Sequence, residues 1–181
     1  MALAKGNIYT IQDIFELPEN ERAELIAGNM FMQAAPSRIH QKMVSFLHLE
    51  IGNYIRKKGG DCEVYPAPFA VFIKQDDKNY VEPDISVICN PEKLDEDGCH
   101  GAPDWIIEVV SPGTSSHDYV AKLNLYAEAG VREYWIVDPR TNMITVYFFE
   151  SELSVPRYTF DDKVKVRIYE DLEVDFTKLK L

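Results

Sequence analysis

Trp105-Ile106-Ile107-Glu108-Val109-Val110 is followed by Ser111-Pro112-Gly113-Thr114, by a helical stretch from about Ser115 to Ala129, by Gly130, and by Glu133-Tyr134-Trp135-Ile136-Val137. The first run is almost entirely apolar, β-branched and aromatic, so it reads as a strand buried on both faces of a helix-covered sheet. Ser111-Pro112 breaks it, Gly130 stops the helix, and the second apolar run is another buried strand. Strand, helix, strand at this spacing is a βαβ crossover, which makes the two strands parallel. Glu108 is the anomaly. A carboxylate inside a buried strand is costly unless it is paired or bound to a metal.

Upstream, Thr10-Ile11-Gln12-Asp13 opens a short helix with a box-like cap, and Leu17-Pro18 ends it. Gly28-Asn29 lies between the apolar runs Ala23–Ala27 and Met30–Met32 and predicts a hairpin. Ser37 caps a long helix whose Ile39, Met43, Phe46, Leu47, Ile51, Tyr54 and Ile55 share one face, and Gly59-Gly60 stops it. Short strands follow at Cys62–Tyr65 and Phe69–Lys74, then Asp84–Cys89. Pro91–Pro103 reads as a polar loop. Downstream of the crossover, Met143–Phe149, Tyr158–Phe160 and Val164–Tyr169 alternate as antiparallel strands, and the tail 175–181 reads as an edge strand or frayed end.

The 181 residues suit one domain with a sizeable core. The N-terminus has no apolar segment typical of a secretory leader, and no apolar run is long enough to span a membrane. Three cysteines, Cys62, Cys89 and Cys99, are odd in number and scattered in spacing, which points to unpaired thiols in a reducing, cytoplasmic setting. Cys99-His100 is only a weak metal hint, since no second pair at ligand spacing accompanies it.

The net charge of −11 argues against unassisted nucleic-acid binding, but its distribution is uneven. Residues 1–60 carry 7 basic and 6 acidic side chains, 61–120 carry 3 and 13, and 121–181 carry 9 and 11. The excess acid therefore sits in the third that holds Asp84 and Glu108. Asp95-Glu96-Asp97, read as a solvated loop, accounts for part of it.

Asp84 heads one strand and Glu108 lies in another. If those strands are neighbours, two carboxylates and a main-chain carbonyl would hold Mg²⁺, a hard ion that prefers oxygen and keeps several waters. A nearby lysine would position the attacking water or help deprotonate it, and offset charge on a phosphate. Lys122, in the helix after the Glu108 strand, is the candidate, with Asp118 four residues earlier to orient it. The plainer readings are Asp84 as a turn former after Pro83, and Lys122 as the partner of Asp118 on a solvated face.

Several motifs together carry a family resemblance. They are Pro83-Asp84, Gly101-Ala102-Pro103-Asp104-Trp105-Ile106-Ile107-Glu108-Val109-Val110-Ser111-Pro112, Asp118, Lys122, Tyr126, Gly130-Val131 and Glu133-Tyr134-Trp135-Ile136-Val137-Asp138-Pro139. With Glu24-Leu25-Ile26-Ala27-Gly28 and His40, they resemble the Uma family of restriction endonucleases, within the PD-(D/E)XK nuclease superfamily. The likeness covers roughly residues 8–150. It implies a restriction-endonuclease-like α/β fold (α+β, a mixed sheet with flanking helices and additional antiparallel strands) and Mg²⁺-dependent phosphodiester hydrolysis, with Mn²⁺ as a substitute. It also implies roles: Asp84 and Glu108 as metal ligands, the Val109 carbonyl as a third, and Glu24 as an additional acid. Two residues after Glu108, where the superfamily's simplest pattern has lysine, this chain has Val110. The resemblance moves that lysine to Lys122.

The expectation is one domain: an N-terminal helix and hairpin over 8–35, a nuclease core over about 37–139, and C-terminal strands over 140–181. The expected activity is cleavage of DNA by a homodimer, with Arg56-Lys57-Lys58 contacting phosphates and the apolar strands after residue 140 at the interface. His40 either approaches the site or serves as a cap or core residue. Two other readings stay open: an inactive nuclease scaffold used as a binding module, and a metal-dependent hydrolase of small phosphoesters.

Overall fold

The computed structural model describes residues 8–111, 116–151 and 155–180, with only the backbone at 116–118. The expected break at Pro112-Gly113-Thr114, the helix start at Ser115 and the side chain of Asp118 therefore lie outside the described residues.

The chain opens with helix α1 (Ile11–Phe15), where the Asp13 carboxylate accepts hydrogen bonds from the Thr10 backbone and hydroxyl. Strands β1 (Ala23–Ile26) and β2 (Asn29–Met32) form the expected hairpin. Its turn is Ala27-Gly28, one residue earlier than the Gly28-Asn29 signal suggested. Both turn residues have positive φ, 49° and 73°, and Asn29 is already paired with Ile26. Asn79 secures the strained Ala27 by accepting its N–H at 2.9 Å. Helix α2 (Arg38–Lys58) begins at the Ser37 cap, which accepts from the His40 N–H, and ends at Gly59.

After β3 (Glu63–Pro66), β4 (Val71–Phe72) and β5 (Ile85–Ile88), the segment expected to be a polar loop contains β6 (Leu94–Asp95) and β7 (Gly98–His100). With β4 they form a small three-stranded sheet. Cys99 is buried there, and His100 pairs with Asp95 at 3.0 Å, so both residues have local structural partners. Strand β8 (Trp105–Val109), helix α3 (Ser116–Ala129) and strand β9 (Glu133–Asp138) make the crossover, and β8 and β9 are parallel. Strands β10 (Met143–Phe148) and β11 (Arg157–Thr159) continue the same sheet, whose order is β11-β10-β9-β8-β5-β3. The remaining pair, β12 (Lys163–Lys165) and β13 (Glu173–Asp175), is shorter than the expected strand at 164–169. The tail turns into a 3-10 helix at Phe176–Lys178 instead of forming an edge strand.

The register sorts the sheet into two faces. Ile85, Ile107, Trp135 and Val146 form one rung and bury against α2 and the C-terminal segment, including Val166, Val174 and Phe176. Ile106 and Tyr134 point the other way and pack under Leu125 and Tyr126 of α3. Glu133 joins the C-terminal segment to the sheet. Fully buried, it accepts from Trp135 Nε1 at 2.7 Å and from the backbone N–H groups of Arg167 and Ile168 at 2.8 and 2.9 Å.

The cysteines require a correction. Cys62 and Cys89 form a disulfide, and only Cys99 is free. Glu63 pairs with Ile88 across β3 and β5, so the next residues outward, Cys62 and Cys89, are cross-strand neighbours. Their separation of 27 in the chain conceals this.

Candidate active site

Antiparallel pairing of β5 with β8 puts Ile85 opposite Ile107, so Asp84, just before β5, comes opposite Glu108. The Asp84 carboxylate folds over the end of the ladder. Its Oδ2 accepts from the Val109 N–H at 2.8 Å and lies 3.1 Å from His40 Nε2. The two acids separated by 24 positions in sequence are thus neighbours on one sheet face.

Lys122 reaches this face from α3. Its Nζ donates to Glu108 Oε1 at 2.8 Å and approaches Glu24 Oε1 and Oε2 at 2.9 and 2.7 Å. Glu24 projects from β1, which abuts α3, and also accepts the Glu82 N–H at 3.1 Å. Tyr126, one turn beyond Lys122, donates its hydroxyl to Glu108 Oε1 at 2.7 Å. Glu24, Glu108, Lys122 and His40 are all buried, and Asp84 is nearly so.

Burial is the largest influence on Glu108 and pushes its carboxyl up to about 7. The charges of Glu24 and Asp84 add to this, and Lys122 opposes it. Burial alone would lower Lys122, but the charges of Glu108 and Glu24 outweigh it and hold the amine above its ordinary range, as an ammonium. For His40 burial also pulls down, yet the Asp84 hydrogen bond and charge, with Glu108 and the Val109 backbone, leave the imidazole raised. Tyr126 is raised by burial first and then by Glu108, so it stays a neutral donor.

All four residues singled out for catalysis, Asp84, Glu108, Lys122 and Glu24, lie in one connected cluster, and Val109 is at its edge. His40 is tied to it through Asp84. Two carboxylates, Glu24 and Glu108, face the Lys122 ammonium, and Asp84, paired with His40, stands across the ladder from Glu108, so the acids outnumber the ammonium and a cation would offset the excess. Among the described residues no group of three or more His, Cys, Asp or Glu side chains forms a ready-made metal cage. The donors available are hard oxygens. That suits Mg²⁺, which binds through one or two carboxylates, waters and substrate phosphates in preference to an all-protein cage.

Two contributors had no role assigned from sequence. Tyr126 lies at i+4 from Lys122, a spacing that puts both on one helix face and could have identified it. Glu82 supports Glu24 through its backbone, a contact that no local pattern announces.

Comparison with known proteins agrees with this architecture. The family model Uma2, described as "Putative restriction endonuclease", matches residues 11–177. The "Uncharacterized protein slr1290" of Synechocystis sp. is 28% identical over 134 residues, covering 74% of this chain and 69% of the relative. A crystal structure from Anabaena variabilis, titled as a "putative nuclease belonging to DUF820", superposes with a TM-score of 0.77 at 21% identity. The superposition covers 94% of this chain and 96% of that one. At that identity the likeness establishes the fold.

Proposed function

The chain belongs to the Uma2 family, and on that premise we propose that it is a metal-dependent endonuclease hydrolysing DNA phosphodiester bonds. The observation that carries this reading is the convergence of Asp84, Glu108 and Lys122 from three elements onto one face at the end of β5 and β8.

Asp84, Glu108 and the Val109 carbonyl would hold Mg²⁺, or Mn²⁺ in its place. When bound, the ion lowers the pKa of a coordinated water and polarises a phosphoryl oxygen. The protein's own groups divide the remaining work. Lys122, held as an ammonium, donates to the attacking water or to a phosphate oxygen and offsets charge that develops there. To take a proton instead, it must first lose the carboxylates that keep it charged. Glu24 and Tyr126 fix the positions of Lys122 and Glu108, and His40 fixes Asp84. Two such centres would cut both strands of a duplex in one encounter, and a homodimer would supply them.

Calorimetric titration of Mg²⁺ and Mn²⁺ into wild type, Asp84→Ala and Glu108→Ala tests the metal assignment. Saturable binding in wild type, lost in both variants, is the expected outcome. Binding that survives in both removes the proposed ligands.

A further inference from the structure

We propose that the groove beside α3, across β9, β10 and β11, carries the phosphodiester backbone of the strand being cut, with Arg157 binding a phosphate away from the scissile one. This rests on the endonuclease reading above. The sheet register supplies the geometry. Glu108 pairs with Ile136, Ile136 with Thr145, and Thr145 with Arg157, so these four side chains form one rung on one face. Helix α3 covers that face near Glu108. Further along, the sheet is open as a groove of 610 Å³, lined by Val110, Tyr119, Ile136, Arg140, Thr145 and Arg157.

Charge along the groove favours a polyanion. In a chain of net charge −11, no carboxylate stands on the rung between Glu108 and Arg157. Asp138, which also lines the groove, is held by the Arg140 guanidinium at 3.0 and 2.9 Å. Arg157 is exposed and makes no ion pair among the described residues. Three inter-strand steps separate Arg157 from Glu108, or about 14 Å at the usual strand spacing. One strand of B-form DNA advances about 3.4 Å per nucleotide along the helix axis, so with the axis running along the rung Arg157 would meet a phosphate about four nucleotides from the cleaved bond.

The other basic cluster, Arg56-Lys57-Lys58, is badly placed for this. His40 marks the site end of α2, and Lys58 follows 18 residues later in the same helix. At 1.5 Å per residue that is about 27 Å. Lys58 is also paired with Asp171 at 2.7 Å.

The test is fluorescence anisotropy of a labelled oligothymidylate and a labelled duplex, in EDTA across a salt series. Wild type is compared with Arg157→Glu, Arg157→Lys and Lys57→Glu. Arg157→Glu is expected to weaken binding about tenfold and to flatten the slope of log K against log[salt] by roughly 0.7 to 0.9. Arg157→Lys should keep most of the slope, and Lys57→Glu should match wild type. Manganese binding by Arg157→Glu should be unchanged, which separates loss of the groove from loss of the metal site. If wild type binds DNA and Arg157→Glu binds equally well, or Lys57→Glu takes the loss, the groove assignment is overturned and the endonuclease reading stands. If wild type binds neither probe, the groove assignment falls, and the endonuclease reading is decided separately by plasmid cleavage in Mg²⁺ and Mn²⁺.

Discussion

Replacing Glu108 by Gln in the metal-free protein should make it more stable, although the substitution lies in the buried centre of the sheet. The carboxyl is raised from 4.5 to about 7, chiefly by burial. Holding it ionised at pH 8 therefore costs the fold on the order of 3 kcal/mol. Glutamine resembles the protonated form. It keeps a carbonyl oxygen for the Tyr126 hydroxyl and the Lys122 ammonium, and it removes the ionisation cost. For a carboxyl raised in the native state, the native protein binds more protons than the unfolded chain between pH 4.5 and about 7, so wild-type stability falls as pH rises through that window. Urea unfolding in EDTA at steps from pH 5 to pH 8 should show the two proteins close together at the acid end. The variant should lead by up to about 3 kcal/mol at pH 8. Should Glu108→Gln instead unfold more easily than wild type at pH 8, the Glu108–Lys122 pair would be a net stabilising salt bridge. Glu108 would then not be a carboxylate kept for a cation at the expense of stability.

Other perturbations follow from the same contacts. His40→Ala removes a partner of Asp84. Because the imidazole is raised above 6.5 in the fold, its contribution is present below 6.5 and lost as pH rises through the folded value, so the stability gap from wild type in EDTA should be wider at pH 5.5 than at pH 9. Glu133→Ala strands the three donors of Trp135, Arg167 and Ile168. At about 1–3 kcal/mol per buried unsatisfied group, a loss of at least about 3 kcal/mol is expected from the urea midpoint. Leu47→Ala, at a fully buried position under the sheet, should cost about 2–5 kcal/mol by the same assay. Tyr126→Phe removes a hydrogen bond to ionised Glu108, so carbon-detected NMR titration should find the Glu108 carboxyl higher than in wild type.

The crossover was legible because long apolar runs and a glycine-stopped helix have few alternative arrangements. Glu108 was legible because it interrupts such a run, and Asp84 and Lys122 followed from adjacent strands and a returning helix. The cluster's other connections depend on distance in sequence. Lys122 and Glu24 are 98 positions apart, and nothing local reveals that β1 will abut α3. The hairpin turn differed by one residue because Gly28 fits either turn position, and the ladder Ile26–Asn29 decides between them. Strands β6 and β7 have two and three residues, too few to show an alternating pattern, so a polar segment concealed a small sheet. The Cys62–Cys89 disulfide depends on β3–β5 register, which spacing alone does not define.

The endonuclease reading has the Asp84–Glu108–Lys122 site hydrolyse DNA with water, a cation being held by the two carboxylates. Its most direct test is incubation of supercoiled plasmid with wild type, Asp84→Ala, Glu108→Gln and Lys122→Met, in Mg²⁺, in Mn²⁺ and in EDTA. Nicked or linear product from wild type with either metal, absent in EDTA and lost in all three variants, is the expected result. Product formed equally by Glu108→Gln, or by wild type in EDTA, would contradict it.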